Sequence, residues 1–181
     1  MRRALILHPD SRCVAATHID VEVVRSHSGD LALSYVVTGK IGDLRLPPGT
    51  APTRADELWR HTCFEAFIRA STDAAYYEFN FAPSTHWAAY GFSGYRSGMR
   101  VANEILAPRI ELQSTNERCS LQASLDLDRV PGLPSDAAWR LGLSAVIEET
   151  NGNISYWALA HPPGRADFHH SDCFALELTR A

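Results

Sequence analysis

Between Cys63 and Phe81 the chain reads CFEAFIRASTDAAYYEFNF, and the alternation in this stretch limits the fold more than any other feature. Successive side chains of a strand point to opposite faces. Over Cys63 to Ala70, Phe64, Ala66 and Ile68 therefore share one face, and Cys63, Glu65, Phe67 and Arg69 share the other. Over Tyr76 to Ala82, Tyr77, Phe79 and Phe81 lie on one face, and Tyr76, Glu78 and Asn80 on the other. Ser71-Thr72-Asp73-Ala74 makes a natural hairpin loop between the two strands. A slip of one residue would expose every apolar side chain, so the pattern selects one register. That register sets Glu65 opposite Asn80 and Phe67 opposite Glu78. The second face is thus aromatic and acidic together. Two readings stay open: a solvated face shielded by Phe67 and Tyr76, or a binding face where rings give area and polar groups give direction.

Other segments repeat the alternation. Ala4 to Leu7 forms a short strand stopped by His8-Pro9-Asp10. Ile19, Val21 and Val23 alternate with acidic residues, Ser28-Gly29-Asp30 turns the chain, and Leu31, Leu33, Tyr35 and Val37 return antiparallel. Gly39 to Arg54 is a long loop, and Asp56 to Arg60 is expected to form a helical turn that delivers Trp59 to the sheet. Thr85 to Phe92 reads as a strand, followed by the Gly-rich SGYRSGM. Ile110 and Leu112, then Leu121 to Leu127, form a further pair around Asn116-Glu117, ended by Pro131 and Pro134. Trp139 to Ile147 alternates up to Asn151-Gly152, a type I′ turn signal. A two-residue turn there pairs Ile147 with Tyr156 and Ala145 with Ala158. On the other face it sets Trp157 against Val146 and His161 against Gly142, whose small size leaves room for the imidazole. The polar loop His161 to Cys173 precedes a last strand containing Phe174, Leu176 and Leu178. About ten short strands with regular turns predict an all-β antiparallel sandwich with little helix.

Length and charge narrow the classes. The chain has 181 residues, consistent with a single domain over 1–181 and a substantial core. Net charge is −4 and no basic run exists, which argues against phosphate-mediated nucleic acid binding. The opening MRRALILHPD lacks a signal-peptide apolar region, and no stretch approaches a membrane-spanning length. Cys13, Cys63, Cys119 and Cys173 are widely spaced. They read as reduced thiols of a cytoplasmic protein.

Leu58-Trp59, Glu65-Ala66-Phe67 and Tyr77-Glu78-Phe79 resemble the pattern of the DOMON-like superfamily, which includes the family-nine carbohydrate-binding modules. The resemblance spans most of the chain and implies a jelly-roll β-sandwich with a ligand groove for sugar or heme, rather than a catalytic centre. The expected ligand is a small molecule, a saccharide by this resemblance.

Candidate site residues follow from ring and polar chemistry. Trp59, Trp87, Tyr90, Tyr95 and Trp157 could stack on a sugar, with Glu65, Glu78, Asn80, Arg96 and His161 as hydrogen-bonding partners. His161, Asp167, His169 and His170 invite a metal reading, since imidazole and carboxylate suit zinc or another transition metal. A divalent metal or heme is thus an alternative to a cofactor-free site. Glu65 or Glu78 with a tail histidine could serve as an acid–base pair in an enzyme, and an interaction module using the exposed sheet face is a further alternative. No nucleophile elbow, phosphate loop or dinucleotide fingerprint occurs.

Overall fold

The computed structural model describes residues 1–27, 29–128 and 130–179. Among them run twelve strands. In chain order these are β1 (Arg2–Leu7), β2 (Ala16–Arg25), β3 (Leu31–Gly39), β4 (Cys63–Ala70), β5 (Tyr76–Phe81), β6 (Trp87–Phe92), β7 (Arg100–Val101), β8 (Arg109–Ser114), β9 (Arg118–Leu125), β10 (Trp139–Glu148), β11 (Ile154–Ala158) and β12 (Leu176–Leu178). The only helical elements described are single 3₁₀ turns at Ile41–Asp43, Leu58–Arg60 and Ser171–Cys173. The fold is an antiparallel β-sandwich.

One sheet runs β1-β2-β3-β9-β8 and the other β7-β6-β5-β4-β10-β11-β1. Strand β1 belongs to both: Arg2 to Leu5 pair with β2, whereas Ile6 and Leu7 pair with β11. Strand β12 flanks the first half of β10, and β11 flanks its second half. The inner faces meet in the main core. There Ile19, Val21, Leu33 and Leu121 of the first sheet oppose Phe64, Phe79, Leu143 and Ile147 of the second. The Tyr35 hydroxyl crosses this core and donates to the Glu65 carbonyl at 2.7 Å.

The central hairpin takes the register that the alternation selects. Glu65 pairs with Asn80, Phe67 with Glu78, and Phe64, Ala66 and Ile68 with Phe81, Phe79 and Tyr77. The antiparallel pair β2–β3 also forms as expected. Of the turn between them, Ser28 lies outside the described residues; the flanking Ser26 amide donates to the Asp30 carbonyl at 2.9 Å.

The closing hairpin differs from expectation by one residue. Ile147 pairs with Ser155, Val146 with Tyr156 and Ala145 with Trp157. The cause is the turn. The Gly152 amide donates to the Glu149 carbonyl at 2.9 Å, the Glu149 amide donates to the Asn153 carbonyl at 2.8 Å, and Gly152 adopts φ +86°. This is a three-residue loop whose glycine takes the left-handed bulge position, not a two-residue type I′ turn. The slip exchanges the faces, so Trp157 enters the main core and Tyr156 joins Val146 outside. Gly142 does not make room for His161. It lies against the Cys173 carbonyl, 3.1 Å from where a Cβ would stand, and lets the 171–173 turn press flat on β10.

The outer face of the second sheet carries its own apolar cluster. Cys63, Phe67, Tyr76, Tyr90, Phe92 and Val146 are covered there by Phe168 and Phe174 of the tail. Strands β4, β5, β6 and β10 are therefore buried on both faces.

Candidate functional site

The tail covers only part of this outer face, and beside it opens a cleft of about 410 Å³. Its floor is the β4–β5 hairpin, contributing Glu65, Phe67 and Glu78, with Phe92 of β6 and Val146 of β10 alongside. Trp59, Met99 and Tyr156 line it and remain substantially exposed, and the tail adds Ala166, Phe168 and His169. Arg96 closes another side.

Local structure explains each placement. The 58–60 turn follows Glu57, held at φ +60°, and swings Trp59 over the sheet edge to meet Tyr90 edge-on at 6.5 Å. Arg96 takes φ +49° in the loop before β7. Its guanidinium donates to Asp167 Oδ1 at 2.8 Å, and the Tyr95 hydroxyl donates to Asp167 Oδ2. These bonds tie the tail to the loop that faces it. Burial raises the Asp167 carboxyl, but the Arg96 and Tyr95 hydrogen bonds outweigh it and hold the group below its ordinary range.

The floor is electrostatically unusual. Glu65 is 2% exposed, and its Oε1 has no hydrogen-bond partner among the described residues. Its other oxygen receives only the Ser144 hydroxyl, at 3.5 Å. Burial, reinforced by the neighbouring Glu78 charge, pushes the Glu65 carboxyl well above the usual range. Glu78 is also raised by burial, partly offset by the Asn80 amide, which donates to its Oε1 at 2.7 Å, and by Arg96. His169 moves the other way. Burial, then the Arg96 charge, lowers it to about 4, so its 3.7 Å approach to Glu78 is not an ion pair at neutral pH.

Two other buried carboxylates provide the contrast. Glu149 accepts the amides of Val14 and Ala15 and the Asn153 side chain. Glu148 accepts Arg45 and His61, each at 2.7 Å. In both, burial pushes the group up, but the hydrogen bonds prevail and hold it below the ordinary value. These are satisfied structural acids. Glu65 has the burial without the partners, which costs on the order of 1–3 kcal/mol unless something else meets the orphan oxygen.

The expected site residues divide. Trp59, Glu65, Glu78 and Arg96 come together at the cleft. Asn80 is fully buried beneath it, accepting from the Cys63 thiol and donating to Glu78. Tyr90 shares the outer face but spends its hydroxyl on Asp56 at 2.7 Å, and Tyr95 acts through Asp167. Trp87 and Trp157 do not reach the cleft, because both pack into the main core. The Arg54 guanidinium lies 4.1 Å from the Trp87 ring, and Trp157 Nε1 donates to Ser155. His161 bonds the Ile6 carbonyl at 2.8 Å and meets His8 edge-on. It does not join Asp167, His169 and His170 as a metal centre. Among the described residues no group of three or more His, Cys, Asp or Glu side chains is placed to hold a metal ion.

Tyr156, Phe168, His169 and Met99 are cleft residues that were not assigned there from sequence. For Tyr156 the signal existed: a three-residue turn at Asn151-Gly152 would have placed it beside Val146. A second groove, about 1000 Å³, lies on the far side of the 58–60 turn, lined by Pro47, Pro48, His61 and His86 among others. Its adjoining buried carboxylate, Glu148, is fully engaged.

The sandwich is similar to those of three solved structures. A Bacteroides uniformis protein provisionally assigned as carbohydrate-binding superposes with a TM-score of 0.67 over 95% of this chain and 83% of its own, at 14% identity. A family 9 carbohydrate-binding module from Caldicellulosiruptor kristjanssonii, in complex with cellotriose, gives a TM-score of 0.54 over 88% of this chain and 74% of its own, at 10% identity. Such a module from the same organism in complex with glucose gives 0.50 over 81% and 69%, also at 10% identity. The chain thus resembles family-nine modules in fold. No family profile matches the sequence, and no curated protein matches it significantly.

Proposed function

We propose that this protein binds a small saccharide in the cleft between the β4–β5 floor and the tail. The observation that carries this reading is the combination of exposed rings at the rim with an unpartnered, buried Glu65 oxygen at the floor. A pyranose offers an apolar face to a flat ring and hydroxyls at its edge. Trp59 and Tyr156 supply the rings, and Glu65, Glu78 and Arg96 the polar partners. A hydroxyl donated to Glu65 would satisfy an atom that the folded chain leaves unpaired. The sandwich shared with modules seen with glucose and cellotriose supports the same reading.

The test is a glycan array followed by calorimetry with glucose and cello-oligosaccharides on the native protein. Trp59→Ala and Glu65→Gln are expected to weaken binding with little loss of fold. Trp157→Ala, a core substitution, is expected to lower stability without a specific binding defect. No binding by the native protein at millimolar saccharide would overturn the proposal.

A further inference from the structure

His169 lines the cleft, yet the saccharide reading as stated leaves it without a role. Its ring packs among Phe67, Tyr76 and Phe92, with centroids at 5.0, 5.9 and 5.1 Å. Nδ1 lies 2.8 Å from the Tyr76 hydroxyl, a hydrogen bond. Nε2 lies 3.7 Å from Glu78 Oε2, too far for one.

The neighbouring bonds decide where the imidazole proton sits. The Tyr76 oxygen already accepts the backbone N–H of Arg96 at 3.2 Å. Its own hydrogen is therefore best used by donation to His169 Nδ1. A neutral imidazole has one donor and one acceptor nitrogen, so Nε2 carries the hydrogen. Across the gap, Glu78 Oε1 is occupied by the Asn80 amide at 2.7 Å, which leaves Oε2 as the facing acceptor. An N–H donor and a carboxyl acceptor thus lie 3.7 Å apart in the cleft wall. A hydroxyl oxygen can lie within hydrogen-bond distance of both, accepting from Nε2–H and donating to Oε2.

We propose that His169 and Glu78 form a pair that reads one ligand hydroxyl, and that Tyr76 is the positioning residue that fixes the His169 tautomer. This deepens, and rests on, the saccharide reading of the cleft. A sugar lacking that hydroxyl leaves both groups of the pair unanswered.

Two measurements test it. Long-range ¹H–¹⁵N NMR of the ligand-free protein reads the tautomer directly: the Nε2–H form is expected, and Tyr76→Phe is expected to release it toward a mixture. An Nδ1–H form in the native protein overturns the proposal whatever binds. Calorimetry with glucose and its monodeoxy analogues then locates the hydroxyl. One analogue is expected to bind roughly 10-fold more weakly than glucose to the native protein. That penalty should fall in His169→Phe, where only Glu78 still reads the hydroxyl, and partly return in His169→Gln, which restores an N–H donor; thermal melting checks that each variant is folded. An unchanged penalty in folded His169→Phe overturns this inference while leaving saccharide binding intact. Absence of binding to glucose and to every arrayed glycan overturns both.

Discussion

The two sheets of this sandwich differ in where they keep polarity. Strands β2, β3 and β9 alternate buried and more exposed residues, with the buried positions apolar and most polar side chains on the outer face. None of the buried polar or charged residues lies on β2, β3, β8 or β9. Glu65, Glu78, Asn80, Ser144, Glu148 and Ser155 all lie on β4, β5, β10 and β11 of the second sheet. One sheet has an open outer face, and the other is partly covered there by the tail and holds every desolvated carboxyl on a strand. Desolvation is costly unless answered; Arg45 and His61 answer it for Glu148, whereas Glu65 Oε1 has no partner among the described residues.

The largest expected effect comes from the first sheet. Leu33→Ala deletes a side chain 2% exposed in the main core and should cost about 2–5 kcal/mol in denaturant unfolding. Saccharide affinity of the folded fraction should stay unchanged, and a matching loss of affinity would break the division between the sheets. Glu65→Leu should do the reverse. Replacing an unsatisfied buried acid by an apolar side chain of similar size is expected to be neutral or stabilising, by up to about 1–3 kcal/mol, while binding is lost. Clear destabilisation would make Glu65 a structural residue like Glu149.

The acid side of the stability curve sharpens the same contrast. His169 has its folded value lowered from 6.5 to about 4, so the unfolded chain binds the proton first. Its contribution is complete above the unfolded value and is lost as pH falls from about 6.5 toward 4. Glu65 is raised, so its folded form holds the proton longer, and the native state gains relative stability as pH falls toward the ordinary carboxylate range. Unfolding measured across this window should show His169→Phe resisting the acid loss and Glu65→Gln lacking the acid gain. Parallel curves for wild type and both variants would remove the electrostatic argument.

Smaller effects follow at the rim and the outer surface. Trp59→Ala should weaken saccharide binding by on the order of 1–2 kcal/mol with little change in unfolding. Arg109, exposed on the edge strand β8 and paired with Glu111, should give less than about 0.5 kcal/mol on either measure when changed to Ala.

The sequence was most informative where one face had to be buried. The β4–β5 register follows from Phe64, Ala66 and Ile68 meeting Phe81, Phe79 and Tyr77, because any slip would expose them. In the closing hairpin that logic weakens. Strand β10 is buried on both faces, so Val146 and Ile147 are equally content in either register, and Asn-Gly suits both turn lengths. One residue then decided whether Trp157 or Tyr156 faced the cleft. The acidic–aromatic face and Trp59 were visible as candidates from local pattern. His169 was visible as a polar tail residue, but its role depends on the tail folding back over β4 and β5, a contact between distant segments that no local spacing encodes.

Strand β1 has a consequence for how the protein is made. Its first four residues complete one sheet and its next two close the other against β11, which is made only after β2 to β10. The sandwich therefore cannot be sealed until β11 has been made. The early strands must wait with an unpaired edge until β11 arrives, and contacts between such distant segments are the slow kind to form. Refolding should be rate-limited by this seam, so that the last backbone amides to gain protection from exchange are those joining Ile6 and Leu7 to Trp157 and Ala158.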